Sequence, residues 1–269
     1  MHTERGTRRR SPVRGPLGAV AALVAGGAGV WTLAPGGLGR EDPVRITIGA
    51  SASGYRELSG LAGDGPGWLG GLLELATEGT LIALGLLLLR AGWCGWRDGR
   101  MKDPRLVGAV LTGVGTVVAY GVSEAVKLVV DEERPCRALA GAHPVAECPP
   151  PGDWSFPSNH ATLAAALAVG LALTLPRLAA VTLPLAGAAA LLRVLVGVHY
   201  PHDVLAGALL GAACAVAAVV MRRAPLGDVR RPRVSGGLGV PPARRAWGSS
   251  SPRPSGARPA SQRQGTGKP

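Results

Sequence analysis

Lys127 and Arg134 stand seven residues apart in "KLVVDEERP". His160 closes the tetrapeptide "PSNH", and Arg193, His199 and Asp203 follow at intervals of six and four in "LRVLVGVHYPHD". A histidine beside a carboxylate has its tautomer fixed and gains basicity or nucleophilicity. A second histidine can protonate a leaving oxygen. Ammonium and guanidinium groups neutralise the oxygens of a phosphate and the charge that develops during its transfer. The set suits phosphoryl transfer, and with no carboxylate cluster for magnesium apparent, a metal-free phosphohistidine route fits best. Taken singly, each residue has a plainer reading. A histidine at a helix start is usually a cap or a surface residue, Arg193 would snorkel, and Lys127 would pair with Glu124 three residues earlier. The combined spacing favours the chemical reading.

Those residues fall at the ends of apolar runs. The chain has 269 residues, 47% of them hydrophobic, and the apolar ones gather in blocks rich in Ala, Leu, Val and Gly. A bilayer core of about 30 Å takes roughly 20 apolar residues of helix. The expected architecture is all-α: a polytopic membrane bundle of about six transmembrane helices with a disordered basic C-terminal tail. Spans are expected near 16–34, 68–89, 106–130, 160–175, 178–198 and 201–221. The first run also has the layout of a signal peptide, but its length favours a membrane helix. The division expected is a basic N-terminus (1–15), a first span with an outer loop (16–67), a core (68–221) and the tail (222–269). A helix continuing past Lys127 would put Arg134 on its face two turns later. Pro201 suits the first turn of the last span, which places Asp203 in that turn. Ser158 suits an N-cap, with free backbone N–H groups behind it forming an anion site.

Charge orients the bundle. Basic residues concentrate in the N-terminus, in the 90–105 linker, at Arg177 and in the tail, which fall on one side if there are six spans. The positive-inside rule makes that side cytoplasmic. The opposite side then carries residues 36–67, the 131–159 loop and the "HYPHD" turn. From Arg222 onward there are eleven basic residues and one acid, Asp228. This Pro/Gly/Ser-rich tail accounts for most of the net charge of +12 and reads as a solvated segment touching anionic lipid, not as a nucleic-acid binder. Cys136 and Cys148 share one polar loop; whether they pair is left open, an oxidising compartment permitting it. Glu74 and Glu78 lie one turn apart in the second span and either pair with the site's cations or line a head-group path, or else snorkel.

The three motifs resemble those of the type 2 phosphatidic acid phosphatase superfamily of membrane lipid phosphatases: KxxxxxxRP, PSGH and SRxxxxxHxxxD. The resemblance covers roughly residues 68–221. It implies that His199 attacks phosphorus, that Asp203 orients it, and that His160 protonates the leaving oxygen and then activates water. It also implies that Lys127, Arg134, Ser158, Asn159 and Arg193 hold the phosphate, with no metal and no cofactor. Two positions depart from the pattern. Asn159 stands in place of Gly, and is among the more tolerant substitutes if that position needs positive φ. Leu192 stands in place of Ser and lacks a hydroxyl. Within the family, "FPSNHA" is similar to undecaprenyl-diphosphate phosphatases of the bacitracin-resistance type. The implied function is lipid phosphate hydrolysis on the extracytoplasmic face, with polyprenyl diphosphate preferred. Phosphatidic acid, phosphatidylglycerol phosphate and a polyprenyl-phosphosugar phosphate are alternatives. A non-catalytic lipid-binding or transport protein is the reading from another class. His202 matches no motif position.

Overall fold

Backbone polar groups in hydrocarbon have to be satisfied within their own segment, so apolar runs of this length become helices. The computed structural model describes residues 14–36, 43–98 and 103–222. Its helices are α1 (Arg14–Leu33), α2 (Ala50–Gly63), α3 (Trp68–Arg97), α4 (Pro104–Val130), α5 (Pro135–Ala138), α6 (Asn159–Thr174), α7 (Ala179–Leu195) and α8 (Pro201–Met221). Among the described residues there is no strand, only an isolated bridge between Val44 and Glu132. Among the described residues five helices are long and apolar enough to cross a membrane: α1, α3, α4, α8, and α7 taken from Pro176. The expected basic N-terminus before residue 14 and the tail beyond Arg222 lie outside the described residues.

The expected fourth span, α6, has only 16 residues. At 1.5 Å per residue it is about 24 Å long, short of the hydrocarbon core. Pro176 ends it by opening the 3-10 turn that leads to α7. The short length is tolerated because α6 is the inner helix, packed by α4, α7 and α8. Ala161, Thr162, Ala164, Ala165, Ala166, Ala168 and Leu171 along it are all buried. Its closest neighbour is α8, whose Gly207 and Gly211 face its first turns. A Cβ on Gly207 would strike the Ser158 carbonyl oxygen, and one on Gly211 the Thr162 carbonyl oxygen. Small residues four apart let two membrane helices approach to backbone distance. Here that approach joins the start of α6 to the first turns of α8, and Ser158 N–H donates to the Asp203 carbonyl at 3.1 Å.

Two expectations about the outer segments differ from the structure. The helix carrying Lys127 does not run on to Arg134. It stops at Val130, where Asp131 takes a left-handed conformation (φ 48°) and its N–H closes on the Lys127 carbonyl. Arg134 then sits before Pro135 in extended backbone (φ −65°, ψ 145°), as a residue preceding proline favours. The polar 36–67 stretch, read as a loop, contains α2. Ala52, Tyr55, Ser59 and Ala62 are its buried residues, at intervals of three, four and three, which is the helical period. That spacing was legible, but the many Gly and Ser residues obscured it. α2 lies over the α7–α8 connection: the Tyr55 hydroxyl donates to the Gly197 carbonyl at 3.0 Å and the Tyr200 hydroxyl to the Ile46 carbonyl at 2.7 Å.

The glycine contacts give a direct test of the α6–α8 packing. Gly211→Val is expected to destabilise the protein by about 3 kcal/mol or more through overpacking. Gly187→Ala, whose added Cβ meets nothing within 4 Å, is expected to leave stability unchanged. Thermal unfolding of both variants in detergent, followed by fluorescence, checks the difference.

Candidate active site

The fully buried Asp203 sits in the first turn of α8, where Pro201 opens the helix. One oxygen, Oδ2, accepts from the Tyr200 backbone N–H at 2.8 Å and from the Ser155 hydroxyl at 2.5 Å, and lies 3.3 Å from His199 Nδ1. Gly197 makes the turn that delivers His199. It has φ +85°, and a Cβ there would lie 2.8 Å from the Pro144 Cα, so no larger residue fits. On the other side of the imidazole, Arg134 Nη1 stands 3.0 Å from His199 Nε2 and donates to the Val198 carbonyl at 3.1 Å. Guanidinium has donors only. Nε2 therefore carries a lone pair, and the ring proton is on Nδ1 facing Asp203. Burial, with Arg134 nearby, holds His199 well below the ordinary histidine range, so the ring is neutral. A neutral imidazole with its lone pair turned toward a cation is poised to attack an electrophile that the cation binds.

Lys127 and Arg134 do converge, but through a third residue. Asp153 Oδ1 lies 3.2 Å from Lys127 Nζ and 2.9 Å from Arg134 Nη2. The Asp153 carbonyl also accepts from Arg134 Nε at 2.8 Å. Burial works against the Asp153 charge, yet Arg134 and Lys127 outweigh it and hold the carboxyl below its usual range. Lys127 also keeps the expected pairing with Glu124, at 3.6 Å. The loop that carries Asp153 is closed by a disulfide between Cys136 and Cys148. Arg137 fastens it further, pairing with Glu133 at 2.6 Å and donating to the carbonyls of Pro149 and Pro150.

The remaining candidates divide. Ser158 occupies the N-cap position of α6, but its hydroxyl makes no capping bond. Its Oγ and the Arg193 Nε are buried without a hydrogen-bond partner among the described residues. Both are donors left free, the state expected of groups reserved for a ligand. Asn159 is the first residue of α6 in ordinary helical backbone and is not at positive φ, so tolerance of positive φ does not explain it. Its side chain instead joins two helices, donating to Glu124 Oε1 at 2.6 Å and accepting from the Ser123 hydroxyl at 2.7 Å. It thus supports Lys127 through Glu124. His160 is bound to Glu78 of α3, Nε2 to Oε1 at 2.9 Å. Among the described residues no hydrogen bond links His160 to His199 or Asp203. Glu78 thus bonds the imidazole and not one of the cations named among its readings.

Besides Asp153, three residues at the site went unassigned in the sequence. Ser155 adjoins the second motif but carries no family signature. Glu132 is fully buried, and burial together with the Asp203 carboxylate pushes it up to about 8. His202 Nε2 bonds Glu132 Oε2 at 3.1 Å and lies 3.3 Å from Asp203 Oδ1, while its Nδ1 meets the Ser51 hydroxyl of α2. Glu132, His202 and Asp203 offer ligand atoms within 4.8 Å of one another. The imidazole bonds Glu132 Oε2, while Glu132 Oε1 and Asp203 Oδ1 are buried without a hydrogen-bond partner among the described residues.

A helical membrane bundle with a histidine–carboxylate pair facing buried cations defines a class of protein, and comparison with known sequences agrees. The PAP2 superfamily model matches residues 108–225, a range that includes all three motifs. Decaprenylphosphoryl-5-phosphoribose phosphatase of Mycolicibacterium smegmatis is 32% identical over 178 residues, 62% of this chain and 81% of its own length. The protein of the same name from Mycobacterium tuberculosis is 39% identical over 105 residues, 38% of this chain and 55% of its own length. Undecaprenyl-diphosphatase of Sulfolobus acidocaldarius is 36% identical over 114 residues, 41% of this chain and 52% of its own length. The chain thus spans about half the length of the last two. It belongs to the PAP2 superfamily and is a multi-pass membrane protein.

The disulfide closes a short loop next to the site, and its removal has a measurable consequence. Replacing Cys136 and Cys148 by Ser is expected to lower stability by about 2–3 kcal/mol, the usual contribution for a loop of this size. Denaturation of the variant and of the reduced wild type, compared with the oxidised protein, checks it.

Proposed function

We propose that this chain is a membrane lipid phosphatase that removes a terminal phosphate from a polyprenyl-linked substrate through a phosphohistidine. The observation that carries the reading is the His199 ring. It is buried, neutral and anchored on Asp203 by Nδ1, with the Nε2 lone pair turned to Arg134. In the reaction, Nε2 forms a bond to phosphorus as the bond from phosphorus to the leaving oxygen breaks. The leaving oxygen takes a proton from His160. Water then loses a proton to His160 and attacks the phosphohistidine, releasing orthophosphate and restoring neutral His199. Asp203 stabilises the imidazolium character that develops on His199, and Ser155 holds Asp203 in place. Lys127, Arg134 and Arg193 neutralise the phosphate oxygens, with the free Ser158 hydroxyl and the α6 N-terminus as further donors and Asn159 bracing Lys127 through Glu124. These fixed cations supply the charge that a metal would otherwise provide. Glu78 keeps His160 oriented through the bond from Nε2 to Oε1.

The extracytoplasmic placement is supported by charge and by redox chemistry. Arg97, Arg105 and Arg177 lie at the helix ends away from the site, as the positive-inside rule requires of the cytoplasmic side. The Cys136–Cys148 disulfide lies on the site's side, consistent with an oxidising compartment. The polyprenyl part rests on the relatives, whose names specify decaprenylphosphoryl-5-phosphoribose and undecaprenyl diphosphate as substrates. The M. smegmatis relative, matched over most of its length, moves the preference from the diphosphate to a polyprenyl-phosphosugar phosphate. The diphosphate is the second reading, favoured by the archaeal relative.

Purified protein in detergent tests the proposal. Phosphate release is expected to persist in EDTA and to fall by about 10³-fold or more in His199→Ala. Turnover by that variant at the wild-type rate would falsify the phosphohistidine route. No release by the wild type from any lipid would favour the non-catalytic alternative. Assayed side by side, a polyprenyl-phosphosugar phosphate is expected to outpace undecaprenyl diphosphate and phosphatidic acid; a higher rate on phosphatidic acid would overturn the polyprenyl assignment. Ser155→Ala is expected to lower kcat by about ten- to a hundredfold with little change in KM, the weight of one hydrogen bond to a charged group.

A further inference from the structure

Lys127 and Arg134 are buried, and two buried cations side by side need an anion. Asp153 supplies it with a single oxygen, Oδ1, which contacts both. The residue is held in place independently of that carboxylate: its carbonyl accepts from Arg134 Nε at 2.8 Å and its N–H donates to the Pro150 carbonyl at 3.1 Å. Its side chain is also the one member of the trio in reach of water, 42% exposed against 8% and 4% for those of Lys127 and Arg134. Rotation about its side-chain bonds moves the carboxylate into water while the loop stays put. Two further donors, Ser158 Oγ and Arg193 Nε, are buried and unsatisfied. A carboxylate on a short stem reaches only part of the donor set, whereas a phosphate has enough oxygens for more of it.

We propose that Asp153 is a resident competitor for the phosphate site, its carboxylate taking the place between Lys127 and Arg134 that a substrate phosphate occupies and leaving when that phosphate arrives. This rests on the reading of the two residues as phosphate ligands. Every anion then binds only to the fraction of molecules in which Asp153 has swung away, and its affinity falls by that fraction. The penalty is equal for all anions, so it leaves their ratio unchanged. Its effect is on occupancy. Free orthophosphate has only its charges to offer and is pushed out of the binding range. A lipid phosphate is retained by the bilayer at high local concentration and still fills the site. Asp153 thus keeps the released product from blocking the next turnover. It sets the occupancy of the site and is not a catalytic residue.

Asp153→Asn keeps the shape and removes the charge; Asp153→Ser is a second neutral variant in case the first folds poorly. In both, orthophosphate inhibition is expected to tighten by about tenfold, as for a competitor that leaves the site open about a tenth of the time. The KM for lipid phosphate in mixed micelles is expected to fall by a similar factor, with kcat unchanged or lower. Unchanged or weakened orthophosphate inhibition in both variants would overturn the proposal, since an Asp153 that merely aligns the two cations weakens binding when removed. Thermal stabilisation by orthophosphate, measured on His199→Ala with and without Asp153→Asn, requires no turnover. A lower half-saturating concentration in the double variant supports the competitor even if no lipid is hydrolysed, and an unchanged or higher one counts against it even if the wild type is active.

Discussion

Asp203 has no access to water, and a buried carboxylate is stable only where donors surround it. The Tyr200 backbone N–H, the Ser155 hydroxyl and His199 Nδ1 meet at one of its oxygens, and His202 Nε2 lies against the other. These partners come from the start of α8, the turn before it and the loop before α6. Satisfying this one charge fixes the relation of three chain segments. The backbone contact between Ser158 and Asp203 and the glycines of α8 bring α6 in to the same point. A shift of α6 against α8 would pull the Ser155 hydroxyl from the carboxylate, so packing and electrostatics enforce each other.

The cations impose a second demand that the outer loop meets. Lys127 comes from the last turn of α4 and Arg134 from extended backbone beyond it. Neither position by itself selects a rotamer for so long a side chain. Asp153 does, taking both head groups on one oxygen, while Arg134 gains further anchors on the Asp153 and Val198 carbonyls. The disulfide and the Arg137 contacts hold the loop that presents Asp153. The result is a donor cluster adjoining the imidazole in which Arg134 is anchored on two backbone carbonyls whether or not the Asp153 carboxylate is in place, and donors placed beforehand are the condition for electrostatic stabilisation of a developing charge.

α2 completes the arrangement from above. Ser51 reaches His202, Tyr55 reaches the Gly197 carbonyl, and Tyr200 reaches back to Ile46. The turn that delivers His199 is therefore clamped by a helix remote from it in sequence. Glu132 and His202 extend the polar network beneath that cover, so the proposed nucleophile is supported by contacts at several removes.

The sequence by itself determined the long apolar helices, the last of them to the residue, because an apolar run of bilayer length folds as a helix; the expected span at α6 is shorter than the hydrocarbon core. It also determined the chemical residue types, since the spacing within "PSNH" and "LRVLVGVHYPHD" is a local property of helix starts and a short turn. Asp203 in the first turn of α8, with His199 just outside it, followed from Pro201 alone. The support around them was decided by tertiary structure. Ser155, Glu132, Asp153, Glu78 and His202 act through partners far away in the chain, and nothing in their own neighbourhoods reveals those partners. The route by which Lys127 meets Arg134 was misread for the same reason. Seven residues suggest two helical turns, whereas a left-handed Asp131 ends the helix and a carboxylate from a distant loop reunites the pair. The role of Asn159 was also decided from outside, by Ser123 and Glu124 on a neighbouring helix. Short-range geometry is written in residue type and spacing; which buried charges find one another depends on how the helices pack.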